Sequence, residues 1–386
     1  MREPARFAVL FLLALMCAEP ALAQRESTGK PKLPRPRQLD RGVVYDRDPK
    51  TGELRTSSAA EPGASGTAAA GTIRARVSLV EVGCVALDRD GTNLRGLRRE
   101  DFRVFEDGAE QQIAHFDAST EPASIVLVID TSPSIFRELA QMKVAARALA
   151  ASLSPADEVA VVAFAKGTHL LLPFSRDRAL LEGAIDSPAM AMVANSRESN
   201  IYEAAYLTAH ELFRGRPGRK AILLLTDGQD SGLRLSWDPA SAQPGAARNR
   251  LAFEDVAREL AADGVELDAI STEPRPRAMT DAWLDAHRSA TLISAATREL
   301  EIPHYTAYLA ELVRRVGGRL YFLRETGGLS EVYRRIAETL GAQYTLGYYP
   351  GAGLGRPGWR ALRVELPAHP GARVVHRFAY YVPAAP

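Results

Sequence analysis

The sequence predicts an α/β protein in which a doubly wound, mostly parallel sheet is inserted between two β segments. Three features of the chain predict it. Residues 125–129, Ile-Val-Leu-Val-Ile, form an unbroken apolar run that ends at Asp130. A second run, Ala-Ile-Leu-Leu-Leu-Thr after Lys220, ends at Asp227. Runs of this kind, without polar alternation, mark strands buried on both faces, as in parallel sheets covered by helices. Strand and helix patterns alternate through 122–340, whereas 73–121 and 341–386 show strands and turns alone.

The chain begins with Arg2 and Arg6 ahead of an apolar run, 7–17, and then Ala21-Leu22-Ala23. A basic flank, a short apolar run and small residues are the pattern of a secretory signal peptide, residues 1–23, with cleavage expected after Ala23. Met16 before Cys17 is bulkier than a lipoprotein signal wants. The run is too short to span a bilayer, and no later stretch approaches that length. An exported protein is therefore expected, periplasmic or secreted or at the cell surface, with no transmembrane segment after signal cleavage. Cys84 is then the one remaining cysteine. With no internal disulfide the fold must rest on its apolar core, and Cys84 is expected as a small buried hydrophobe. Lys and Arg number 48 against 47 Asp and Glu, mixed along the chain, for a formal net charge of +1. That balance gives no electrostatic case for nucleic acid as a partner.

Residues 24–72 carry Pro34, Pro36, Ser57-Ser58-Ala59-Ala60 and a Gly/Ala stretch at 63–71, without periodicity or large apolar clusters. They are expected to be a disordered linker. From residue 73 the texture changes. Val77, Leu79, Val82, Cys84 and 85–87 suggest one or two strands, closed by a turn at Asp88-Arg89-Asp90-Gly91. That turn lacks the later ligands of a calcium loop. Asp107-Gly108 marks a turn between 102–105 and 112–116.

In the centre, Leu139, Met142, Val144, Ala145 and Leu149 give a helical face over 136–152. A strand at 157–165 follows, with 168–174 as its antiparallel edge neighbour. Helices are expected at 178–185 and 201–213, and strands at 265–271 and 319–322. The connections 233–250 and 273–303 are long, the second with a helix at 281–296; function and expansion drift explain such loops equally well. Strands return at 344–349, 360–366 and 374–381. Neither flank alone has enough strands for a sandwich, so 73–120 and 342–383 are expected to pair into one β-sandwich around 122–340. Two small separate β elements are the alternative.

The chemistry gathers where the buried strands end. Asp130, Ser132 and Ser134 stand two apart at the C-terminal end of the first strand. They are hard oxygen donors, suited to Mg²⁺ or Mn²⁺ and poorly suited to zinc or copper. The same residues also suit a helix cap with Pro133 in its first turn, and a short motif leaves both readings open. The second run ends in Asp227-Gly228-Gln229-Asp230, and between the two lies Ser199-Asn200-Ile201-Tyr202-Glu203.

In this order and spacing the set resembles the von Willebrand factor A domain and its metal-ion-dependent adhesion site. The resemblance implies that Asp130, Ser132 and Ser134 form the Asp-x-Ser-x-Ser element. Ser199 stands where the family has a loop threonine, and Asp227 is the aspartate of Thr-Asp-Gly. It further implies that Ser132, Ser134 and Ser199 ligate Mg²⁺ directly, with Asp130 and Asp227 acting mostly through water. The family's commoner glycine pair before the loop hydroxyl is here Arg197-Glu198. Leu97-Arg98-Arg99-Glu100-Asp101-Phe102 with Glu106-Asp107-Gly108 resembles the N-terminal flank of a bacterial VWFA-related family. Gln343-Tyr344-x-Leu346-Gly347-Tyr348-Tyr349 and Tyr380-Tyr381-Val382-Pro383 resemble its C-terminal flank.

What the resemblance implies is a non-enzymatic adhesion module whose metal accepts a carboxylate from a protein ligand. A metal-free structural or assembly scaffold of the cell envelope is the alternative that Arg197-Glu198 suggests. A metal-dependent hydrolase would need a general base, for which only Glu203 or Asp230 offers itself. None of the seven histidines lies in a His-Glu-x-x-His motif or at zinc spacing with cysteine. No Gly-x-Ser-x-Gly elbow or Gly-Lys phosphate loop is present.

Overall fold

The computed structural model describes residues 33–48, 53–58, 79–118, 122–135, 153–193, 198–233, 251–287, 302–323, 343–351 and 357–382, with scattered positions in 140–151, 292–293, 332 and 336. Strands β1 (Arg37–Gln38), β2 (Val43–Arg47) and β3 (Leu54–Ser58) come first. They precede β4 (Val80–Leu87), β5 (Arg103–Glu106), β6 (Ala109–Gln111) and β7 (Ile113–Asp117). The central body begins with β8 (Ala123–Asp130), β9 (Glu158–Phe164), β10 (Thr168–Ser175), α1 (Arg178–Ile185), α2 (Pro188–Val193) and α3 (Ile201–Thr208). It continues with β11 (Arg219–Thr226), α4 (Phe253–Ala262), β12 (Val265–Ser271), α5 (Asp281–Ala286), α6 (His304–Val316) and β13 (Leu320–Phe322). Then come β14 (Gln343–Tyr348), β15 (Gly358–Glu365), β16 (Arg373–His376) and β17 (Ala379–Val382).

The central sheet has the order β1-β10-β9-β8-β11-β12-β13. Strands β9, β8, β11, β12 and β13 run parallel, while β10 and β1 are antiparallel to their neighbours. All eight residues of β8 are buried. Because side chains alternate along a strand, Ile125, Leu127 and Ile129 join Leu223 and Leu225 in one core, and Val126 and Val128 join Ile222 and Leu224 in the other. The first core is closed by residues of α1 and α2, the second by α3, α4 and α6. That double cover is why the runs show no polar alternation. From β8 the chain moves to β9 on one side; from β11 it moves to β12 on the other. The C-terminal ends of β8 and β11 therefore flank the switch point of the sheet, where an open α/β fold leaves a crevice.

The two flanks form a sandwich of four-stranded sheets, β16-β4-β14-β7 and β17-β15-β5-β6, around one shared core. The strands interleave. β14 lies between β4 and β7, and β15 lies between β5 and β17. Each sheet thus draws two strands from each flank, and neither flank can bury its apolar face without the other. Val82, Cys84 and Val104 from the first meet Leu346, Tyr348 and Val364 from the second. Asp107 and Gly108, at φ 48° and 86°, make the tight β5–β6 turn, a left-handed pair that Asp-Gly tolerates best.

Several expectations need correction. The linker expected over 24–72 is ordered structure at 33–48 and 53–58; the rest of it lies outside the described residues, as does the expected signal peptide. β2 and β3 form a hairpin whose Val43, Tyr45 and Leu54 pack against the second core, an alternation too short to stand out among polar neighbours. β1 pairs with β10, so 168–174 is not the sheet edge. The stretch 374–381 is two strands in different sheets, because the chain crosses between them at Arg377-Phe378. The helix over 201–213 is α-helical to Thr208 and widens into a π turn at Ala209–Phe213. The helix expected at 136–152 lies mostly outside the described residues, and that at 281–296 is described as α5 and Leu292-Ile293. α4 and α6 are additions to the elements expected from the sequence.

Candidate metal centre at the sheet switch point

Asp130 is the last residue of β8 and is fully buried. Leu225 of β11 pairs with Ile129, so one step further Thr226 stands beside Asp130. The backbone then leaves the sheet on both strands. Thr131 anchors its turn by donating from N and Oγ1 to Phe164 O, at 2.7 and 2.8 Å. This fixes the path into the short 3₁₀ turn at Pro133–Ile135, which Ser132 precedes and which contains Ser134.

The Asp130 carboxylate is the hub. Its Oδ1 accepts from Ser132 N at 2.9 Å. Its Oδ2 accepts from Ser199 Oγ at 3.0 Å and from Thr226 Oγ1 at 2.8 Å. The hydroxyls of Ser132 and Ser134 lie 3.0 Å apart; Ser132 is buried and Ser134 exposed. Burial pushes the Asp130 pKa up; hydrogen bonds from Ser132 and Thr226 work against this, and the charge of Asp227 adds to it.

Asp227 follows β11. Its Oδ1 accepts from Gln229 N at 2.9 Å, whereas its Oδ2 is buried with no hydrogen-bond partner. Gly228, at φ 87°, makes the turn after it and donates to Thr226 Oγ1 at 3.1 Å. Ser199 sits in the loop before α3, buried, and its carbonyl accepts from Ser231 N at 2.7 Å.

Of the residues singled out from the sequence, Asp130 bonds to Ser199 and to the backbone of Ser132, whose hydroxyl meets that of Ser134. Asp227 is near enough for its charge to act on Asp130. Two residues at this centre lacked an assigned role. Thr226 holds Asp130, and Thr131 holds the turn. The Thr-Asp-Gly triplet contained the first in plain sight. The candidate bases are both committed elsewhere: Glu203 to the hydroxyl of Tyr45 at 2.8 Å, Asp230 to the amides of Leu233 and Tyr202 at 2.7 and 3.4 Å. Burial lifts the pKa of Asp230 to about 6. Arg197 lies outside the described residues; Glu198 is exposed and pairs with Lys166 at 3.2 Å.

The donor set fits a hard divalent cation. It offers hydroxyl and carboxylate oxygens only, with one buried carboxylate oxygen unspent. Among the described residues, no group of three or more His, Cys, Asp or Glu stands ready for a metal, so a zinc-type cage has no counterpart there.

Fold and site together define an open, doubly wound α/β protein with an oxygen-lined centre at its switch point. Residues 125–229 match the family described as von Willebrand factor type A domain, and the central body has that fold, with extra β segments flanking it. No curated protein sequence matches the chain. Among solved structures it is similar to an aerotolerance-related membrane protein from Bacteroides fragilis NCTC 9343, at 15% identity and TM-score 0.39, over 56% of this chain and 98% of that one. It is similar also to von Willebrand factor type A from Catenulispora acidiphila, at 13% identity and TM-score 0.37, over 81% and 75% of the two chains. Proximal thread matrix protein 1 from the mussel byssus, with a zinc-occupied MIDAS motif, is similar at 18% identity and TM-score 0.38, over 61% and 49%. Among the described residues no helix is long and apolar enough to cross a membrane.

Proposed function

We propose that this chain is an exported, non-enzymatic binding module. Asp130, Ser132, Ser134, Ser199 and Asp227 hold Mg²⁺ or Mn²⁺, and the acidic side chain of a protein ligand completes the site. The observation that carries this is Asp227 Oδ2, a buried carboxylate oxygen without a hydrogen-bond partner, in a centre otherwise lined by hydroxyls and the Asp130 carboxylate. An unpaired buried anion is costly, and a cation is the group that offsets the cost.

When bound, the ion supplies an electrophilic position for an anionic oxygen. The rest is done by the chain. Asp130 orients Ser199 and the Ser132 amide, Thr226 keeps Asp130 in place, and the covered sheet beneath keeps all of them rigid. Export rests on the signal-like pattern of residues 1–23.

The test is a pull-down from envelope extract with the purified protein, in Mg²⁺ and in EDTA, beside a screen against phosphoester, peptide and glycoside substrates. A protein retained in Mg²⁺ but lost in EDTA and with Asp130→Ala is the expected result. Metal-dependent turnover that Asp130→Ala abolishes would overturn it.

A further inference from the structure

The hairpin of β2 and β3, together with β1, reaches the loop that carries Ser199 from two sides. On one side Tyr45 OH donates to Glu203 Oε1 at 2.8 Å. Glu203 Oε2 in turn accepts from Asn200 Nδ2 at 3.3 Å. Asn200 is the residue next to Ser199, and it is held on its other flank by Lys166 O, 2.7 Å from Nδ2, and by Ala165 O, 2.9 Å from N. On the second side Asp40 Oδ1 accepts from Thr168 N at 3.3 Å, and Leu39 N donates to Thr168 O at 2.8 Å. These bonds fasten the 165–168 turn that receives Asn200. Both struts converge on Asn200, the residue next to Ser199.

The hairpin is itself firmly docked. Arg47 makes a two-pronged ion pair with Asp255 of α4, its Nη1 donating to Oδ1 at 3.0 Å, and Asp255 is almost fully buried. Thr56 and Tyr206 hydroxyls lie 2.6 Å apart, and the Tyr45 ring meets that of Tyr206 edge-on at 6.0 Å. Paired ions with a buried partner, a hydroxyl contact and an aromatic contact are more than a passing surface association needs. Glu203 is mostly shielded between hairpin and helix, so its two donors are the groups that keep it oriented.

We propose that Tyr45 is a positioning residue: the N-terminal hairpin clamps the Ser199-Asn200 loop through Glu203 and Asn200, and the Tyr45–Glu203–Asn200 relay sets the affinity of the centre for its metal. The affinity part rests on the metal reading above; the clamp itself does not. A Ser199 hydroxyl freed to leave Asp130 is a worse donor to the site, because its loop must first be ordered before it can ligate.

Two variants of the full chain separate this from general stabilisation. Tyr45→Phe removes the hydroxyl and keeps the ring contact with Tyr206. Thr56→Val removes the hairpin's other hydroxyl contact, which does not lead to Ser199. Amide hydrogen exchange is followed without metal, and Mn²⁺ affinity by titration. For Tyr45→Phe, exchange at 199–204 is expected to rise and the Mn²⁺ dissociation constant to increase about fivefold, the scale of one net hydrogen bond. Thr56→Val is expected to leave both unchanged, and Glu203→Gln to behave like Tyr45→Phe. If exchange at 199–204 does not respond to Tyr45→Phe, the clamp is overturned whether or not metal binds. If exchange rises while Mn²⁺ affinity holds, or if Thr56→Val weakens binding equally, its control of the site is overturned. A wild type that takes no Mn²⁺ overturns both the metal reading and that control, while the exchange arm still decides the clamp.

Discussion

Thr226 Oγ1 donates to Asp130 Oδ2 at 2.8 Å across two adjacent parallel strands, and the same carboxylate oxygen accepts from Ser199 Oγ. One buried oxygen therefore ties β8, β11 and the loop before α3 together. Thr226 Oγ1 also accepts from Gly228 N, so it shapes the turn that presents Asp227. Thr226→Val keeps the β-branched shape and removes both bonds. Hydrogen bonds to charged groups contribute about 1.5–3 kcal/mol, so a loss of stability on that scale is expected, together with weaker metal binding, although Thr226 is no ligand. Urea unfolding and a Mn²⁺ titration check it. A variant as stable as wild type would show that Asp130 is held by other means.

The sandwich is closed by a second carboxylate. Glu106 of β5 accepts at Oε2 from Tyr348 OH at 2.6 Å and from Tyr380 OH at 3.0 Å, one tyrosine from each sheet. Glu106→Ala leaves two phenol hydroxyls in a largely apolar core without their acceptor, so cooperative loss of β signal at a lower temperature is expected. Ending the chain at residue 341 removes β14 to β17, half of the sandwich strands. That truncation should aggregate. A monomer as heat-stable as the full chain would contradict the shared core.

Asp268 lies in the interior of β12, buried, with Oδ1 accepting from Arg319 N at 2.7 Å and Oδ2 without a partner. Burial first, and then the nearby charge of Glu266, raise its pKa to about 8, against the opposing influence of Arg319. The folded protein thus keeps a proton that the unfolded chain gives up in the ordinary carboxylate range. The stability that Asp268 contributes should be full below that range and fall as pH rises towards about 8, at up to about 1.4 kcal/mol per pH unit. Asp268→Asn is neutral throughout and should lack this part of the slope. Urea midpoints at pH 5 and pH 8 for both proteins provide the check; parallel slopes would contradict it.

Much of this architecture is legible in the amino-acid sequence. The runs ending at Asp130 and Asp227 announce the central strands because double burial leaves a continuous apolar signature. The three short elements carrying site oxygens can be placed because each ends a strand or opens a helix. The hairpin of β2 and β3 is not legible. Val43 and Tyr45 alternate over only five residues, and their burial depends on Glu203, Tyr206 and Asp255, far away in the chain. The break at Arg377-Phe378 is hidden for a related reason: both strands are apolar, and only the change of sheet separates them. α4 has a helical pattern, with Val256, Ala257, Leu260 and Ala261 buried, but it follows a long polar connection whose composition is that of a loop. The Thr-Asp-Gly triplet displays Thr226, but its bond to Asp130 becomes legible only once its neighbour across the ladder is known.

The central claim is that Asp130 and Asp227 share a divalent cation. Mg²⁺ and Mn²⁺ titrated into wild type and Asp130→Ala, up to tens of millimolar, with heat and melting temperature recorded together, test it most directly. Ligand binding to the folded state alone stabilises by RT ln(1 + [L]/Kd), roughly 2.7 kcal/mol at a hundredfold excess over Kd. Wild type should give saturable heat and a rising melting temperature, and Asp130→Ala neither. A wild type with no heat and no thermal shift, or an Asp130→Ala protein that shifts as far as wild type, would contradict the account.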